Sequence, residues 1–161
     1  MMAEAQYHKR DIAKSQLETA VRLFLLGMDR SSVVTLAGAS GAILDRLVRN
    51  EGKEPFVDYA CRVHRELVGY TPKRSSYAHH INKRLGINVH KHMGKEDVET
   101  LELDLEQMAF DALARAMTDY MALNGQEEPF VRAFLGWAWQ NKDGRALMDE
   151  FMKVPDKLKP R

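Results

Sequence analysis

At 161 residues, 45% of them hydrophobic and 29% charged, the chain is sized and composed for one globular domain with its own core, which excludes a disordered or fibrous protein. Its 24 Lys or Arg against 23 Asp or Glu leave a formal charge of +1, against the profile of a uniformly anion-binding protein. A single cysteine, Cys61, permits no internal disulfide, no apolar run reaches the roughly 20 residues of a membrane span, and the polar start from Met1 to Asp11 lacks a signal-peptide core, so a cytoplasmic protein without membrane attachment is expected.

The first element is predicted from about Ile12 to Met28, where Leu17, Ala20, Val21, Phe24 and Met28 recur at helical spacing. Ser15 with Glu18 has capping-box spacing, and Asp11 is an alternative start. Asp29-Arg30-Ser31-Ser32 offers a fresh cap for a second helix. Its face of Val34, Ala37, Gly41, Leu44 and Val48 contains small residues that permit a close helix crossing. Gly38-Ala39-Ser40-Gly41 lies inside this pattern and lacks the Lys-Ser/Thr of a phosphate loop, so packing explains it better.

The breaker cluster Asn50 to Pro55 precedes a third helix, Phe56 to Val68, closed by Gly69. After the Thr71-Pro72 turn, a fourth helix is predicted over Ser75 to Met93. There Tyr77, Ile81, Leu85, Asn88, Val89 and His92 share one face, at about 100° per residue. Gly86 weakens that helix, and Ile87 to Met93 could instead be a short strand with Asn88, His90 and His92 on one side.

Thr100 to Leu105 alternates apolar with acidic and reads as extended. Asp104 with Gln107 then opens a long fifth helix to Gly125, and Glu128-Pro129 starts a sixth with Phe130, Phe134, Trp137 and Ala138. A shorter helix, Arg145 to Met152, precedes a basic tail over about 153–161. The expectation is an all-α, single-domain bundle of five to seven helices over 1–161.

Charge is segregated along this bundle. From Arg62 to Lys95 eight Lys or Arg stand against Glu66 alone, and from Glu96 to Glu128 ten Asp or Glu stand against Arg115 alone. Such segregation can steer an anionic ligand or pair two subunits. Four of the six histidines, His79, His80, His90 and His92, fall in the basic stretch. Arg84, Asn88 and His92 lie four apart, so on a helix they form one row. One reading is a buried polar pair, Asn88 and His92, satisfied by Tyr59 or Tyr120. The other is an arginine holding phosphate beside a histidine that moves a proton, with His90 as a second candidate.

Here the chain resembles the HEPN superfamily, small all-helical prokaryotic domains in which an arginine followed after four to six residues by histidine forms a metal-free ribonuclease site at a dimer cleft. Arg74 with His79, Arg74 with His80, and Arg84 with His90 have that spacing. Asn88-Val89-His90-Lys91-His92 resembles the family's Arg-Asn-x-x-x-His form, with Ile87 in the arginine position and Arg84 one turn earlier as its spatial substitute. The resemblance implies a dimeric helical domain. With Ile87 at the arginine position it favours a binding or regulatory module over the alternatives, an active metal-independent ribonuclease and a nucleic-acid-binding module that does not cleave.

No cofactor motif is present, and metal binding is not expected. His79 and His90 would be about 16 Å apart along a helix, and no Glu-x-x-His or cysteine pattern completes a set. Cys61 and His64 are three apart, yet a lone cysteine there reads as a small buried hydrophobe. Trp137 and Trp139 cannot both face the core, which together with the segregated charge suggests a homodimer contact. RNA or another anionic partner would engage the region from Arg62 to Lys95.

Overall fold

Why the chain folds into helices where it does is visible at their ends. In the computed structural model, which describes residues 3–161, the Asp29 carboxylate accepts the Ser32 N–H at 3.1 Å and the Asp104 carboxylate accepts the Gln107 N–H at 3.0 Å. These caps satisfy donors that a helix start leaves free. Gly69 and Gly125 leave the third and fifth helices at φ 91° and 74°, where a side chain would be strained, and Pro129 opens the sixth helix.

The elements in order are α1 (Lys9–Leu25), α2 (Arg30–Asn50), α3 (Phe56–Val68), α4 (Arg74–Arg84), α5 (Leu105–Asn124), α6 (Pro129–Asn141) and α7 (Gly144–Lys153), followed by a 3-10 turn at Asp156–Leu158. The expected all-helical bundle forms, with no strand among the described residues. α1 begins earlier than expected. Its cap is His8, whose Nδ1 accepts the Arg10 N–H at 2.9 Å, rather than Asp11 or Ser15.

α2 and α5 lie at the centre with α1 packed against both, and α6 packs on α1 and stacks Phe134 on Phe110 of α5. Leu17 and Phe24 of α1, Val34 and Leu44 of α2, Leu113 and Met117 of α5, and Val131 and Phe134 of α6 are all buried in one core. The small residues of α2 permit the predicted close approach, and Ser40, fully buried, donates its hydroxyl to the Ala13 carbonyl at 2.7 Å. Among the described residues α2 is the one helix long and apolar enough to cross a bilayer, and its apolar residues belong to this core. α3 and α4 form a separate layer, α7 lies on α6, and the 3-10 turn lies on α3.

Two expectations are corrected. The fourth helix ends at Arg84, not Met93, and Leu85 to Lys91 is a run of turns, neither helix nor strand. Gly86 adopts φ 74°, and a Cβ there would come within 2.7 Å of Met108 Sδ. Ile87, only 2% exposed, plugs against Gly38 of α2, so burying one isoleucine turns the chain away from the helix axis. The basic tail lies on α3. Tyr59 donates its hydroxyl to the Leu158 carbonyl at 2.8 Å, and Arg62 donates to the carbonyls of Lys157 and Lys159.

Candidate functional site

The layer of α3 and α4 is fastened by charge. Arg74, the first residue of α4, reaches both Asp45 oxygens at 2.8 and 2.9 Å through Nη2 and Asp58 at 2.5 Å through Nε. Arg62 forks onto Glu54 at 2.8 Å through each of two nitrogens, which holds the Glu54 carboxyl below its ordinary range. Asp119, completely buried in α5, accepts the Phe56 N–H at 2.8 Å at the start of α3.

Burial pushes Asp119 up to about 6, outweighing that N–H and the nearby Arg115. Arg115, 6% exposed, packs on Gly41, where a Cβ would collide with its guanidinium, and its Nε finds no partner. Burial lowers its pKa. This interior group was missed by sequence reasoning. The available signal was a charged i, i+4 pair, Arg115 and Asp119, set among the alanines of a helix opposite a glycine.

The pairing decides which of the basic residues are available. Arg62 and Arg74 are already bound to carboxylates, and Arg74 faces α2 and α3 while His79 and His80 are exposed. No residue of α4 is buried. Ser76, His79, His80 and Lys83 recur at i, i+3, i+4 and i+7 along its exposed side, with Arg84 next to them. The side chains of Lys73, Lys83, Arg84, Lys91 and Lys95 make no ion pair among the described residues, and α4 carries no carboxylate.

The row of Arg84, Asn88 and His92 does not lie on one helix, because Gly86 ends α4 between the first two. Arg84 is exposed at the helix end, Asn88 is half-buried in the turn, and His92 is exposed beyond it. The Asn88 carbonyl accepts the N–H groups of Lys91 and His92 at 3.1 and 3.0 Å. His90 places Nδ1 2.6 Å from the Gly86 carbonyl, a contact that ties the turn to itself. Neither tyrosine serves this row: Tyr59 bonds Leu158, and Tyr120 bonds Glu128.

Two small cavities flank the row. A cleft of about 290 Å³ has walls of Phe56, Ala60, Tyr77, Ile81 and Leu85, with Arg84 and Asp111 as its charged groups. A second, of about 260 Å³, lies behind the turn and brings His92 beside Asp97, Val98 and Leu101. Arg84 and His92 therefore line different cavities. An unpaired arginine at the edge of an apolar cleft can take a carboxylate or phosphate while the walls take an aliphatic group. No group of three or more His, Cys, Asp or Glu among the described residues is arranged to hold a metal ion.

Cys61 is 8% exposed, and burial raises its thiol pKa, the behaviour of a buried hydrophobe rather than a nucleophile. The two tryptophans separate as their spacing requires. Trp137 packs edge-on against Phe24 at 4.7 Å, while Trp139 is 52% exposed beside α7. Comparison with protein-family models, curated proteins and solved structures finds no match for this chain.

Proposed function

We propose that this protein is a cytoplasmic, non-catalytic binding module that presents α4 and the following turn to an anionic partner, with a degenerate HEPN-like site in which Arg84 binds rather than cleaves. The observation that carries this reading is the set of unpaired cations on and after α4, Lys83, Arg84 and Lys91, in a layer where the neighbouring arginines are all committed to carboxylates. Unpaired exposed cations bind phosphates or carboxylates with release of counterions, without further rearrangement.

The ribonuclease alternative requires a histidine within reach of the phosphate that Arg84 holds. Neither His92 nor His90 meets this: Arg84 and His92 line separate cavities, and His90 is engaged with the Gly86 carbonyl, while the histidine that neighbours Arg84 on α4 is His80, one turn earlier and exposed. A binding module needs no such convergence.

The test is fluorescence anisotropy of labelled oligouridylate RNA over a range of salt. The wild type should bind with a log–log salt slope that Lys83→Glu/Arg84→Glu reduces by about 2, one per lost phosphate contact. No binding by the wild type at low salt would overturn the reading. EDTA-resistant cleavage of the probe, abolished in a folded His92→Ala, would replace it with the ribonuclease.

A further inference from the structure

We propose that the α4 face is covered, in a homodimer, by the acidic segment Glu96–Asp104 of a second copy of this chain, so that partner binding competes with self-association. The proposal rests on the reading of α4 as the recognition face.

Beyond the turn, the chain runs from Gly94 to Asp104 with almost every side chain exposed and with no helix. The whole connection from α4 to α5, 85–104, contains no helix or strand, and connections of such length are uncommon in compact domains unless they serve a purpose. The segment carries Glu96, Asp97, Glu99, Glu102 and Asp104, none of them in an ion pair among the described residues. Between the charges it exposes two aliphatic side chains, Val98 at 67% and Leu101 at 48%. Val98-Glu99-Thr100-Leu101-Glu102 is thus an exposed strap that offers an apolar group followed by a carboxylate, twice.

The surface that complements this pattern is on the same chain. The cleft beside α4 is walled by Phe56, Ala60, Tyr77, Ile81 and Leu85, with Asp111 as its one carboxylate, and its volume of about 290 Å³ accommodates a branched aliphatic side chain. Arg84 stands at its edge and Lys83 beside it, both unpaired. Leu101 in the cleft would bring Glu99 and Glu102 to these two cations, uniting apolar burial with charge pairing at one place.

Among the described residues of the single chain no ion pair joins α4 to the strap. A second copy satisfies both at once. Every copy carries one strap and one α4 face, so a two-fold axis gives two equal contacts and leaves no open end to propagate.

The test measures mass by light scattering together with RNA binding. At tens of micromolar and low salt the wild type should be a dimer, and salt of about 0.5 M should dissociate it, because exposed charge pairs are screened. Glu99→Lys/Glu102→Lys and Lys83→Glu/Arg84→Glu should each be monomeric. An equimolar mixture of the two should form a heterodimer, because like charges meet only in each separate sample. Glu96→Gln/Glu99→Gln/Glu102→Gln should be monomeric and should bind oligouridylate about tenfold more tightly than the wild type, its cations being uncovered.

A wild-type monomer at low salt overturns the proposal. So does a dimer that survives the strap changes and is lost in Trp139→Ala, which would place the interface on the exposed apolar side of α6 and α7. A strap variant that turns monomeric yet binds no RNA leaves the self-association in place and refutes the α4 recognition reading instead.

Discussion

α2 and α5 are flanked on two sides by two different kinds of packing. Toward α1 and α6 the contacts are apolar and continuous, with Leu17, Phe24, Leu44, Leu113 and Phe134 in one cluster. Toward α3 and α4 the named joints are directional: Arg74 of α4 on Asp45 of α2, and Asp119 of α5 on the Phe56 N–H at the start of α3. Apolar contact tolerates small shifts, whereas a carboxylate that loses its arginine is left desolvated. The difference assigns stability to the first side and an element with few apolar anchors to the second. α4 buries no residue of its own; Arg74 ties its start to Asp45 and Asp58, Tyr77 packs edge-on against His64 of α3, and Ile87 is buried beyond its end.

The comparison is broken most severely from the apolar side. Leu113→Ala should cost about 2–5 kcal/mol, the range for a fully buried leucine, and urea denaturation followed by far-UV circular dichroism measures it. A cost under about 1 kcal/mol would mean that the central pair is not where the stability lies.

On the charged side, Asp119 supplies the next largest effect and a sign. Its carboxyl is raised from 3.8 to about 6 in the fold, so between those values the folded protein binds more protons than the unfolded one. The stabilisation is complete below about pH 4 and is lost as pH rises through about 6. Asp119→Asn keeps an acceptor for the Phe56 N–H but cannot ionise. Relative to wild type it should therefore gain up to about 3 kcal/mol between pH 4 and pH 7, whatever constant cost follows from the lost neighbour of Arg115. Urea midpoints that run parallel across that range would assign Asp119 an ordinary carboxyl.

The smallest effect sharpens the contrast. Arg74→Gln removes the fork onto Asp45 and Asp58 at a position that is partly exposed, so global stability should fall by only about 1–2 kcal/mol. Amide exchange in α4 should rise well before that of α2 or α5. Uniform acceleration across all helices would show that the two sides unfold as one unit.

The apolar side was the legible one. Leu17, Val21 and Phe24, or Ala109, Ala112, Leu113 and Ala116, repeat at helical spacing because they face one core, and Asp29, Asp104, Gly69 and Pro129 mark ends by local chemistry alone. The candidate site was legible only in part. The basic stretch, Arg84 and the exposed Trp139 could be named from sequence. The termination of α4 was not, since Gly86 alone only weakens a helix, and the turn depends on Ile87 finding Gly38, 49 residues earlier in the chain. Nor does a count of cations reveal that Arg62 and Arg74 are already bound to Glu54, Asp45 and Asp58.

The sequence by itself determined that this protein is helical, where most of its helices start and stop, and which faces are apolar, because those properties follow from interactions within a few residues of chain. Which cations are free, where α4 ends, and that Arg115 and Asp119 are buried rather than solvated were decided by the tertiary structure. The deciding partners include ones far off in the chain, 29 residues for Arg74 with Asp45 and 63 for Asp119 with the Phe56 amide. Local periodicity contains no record of such distances, and a charge changes meaning entirely when a second one is folded against it.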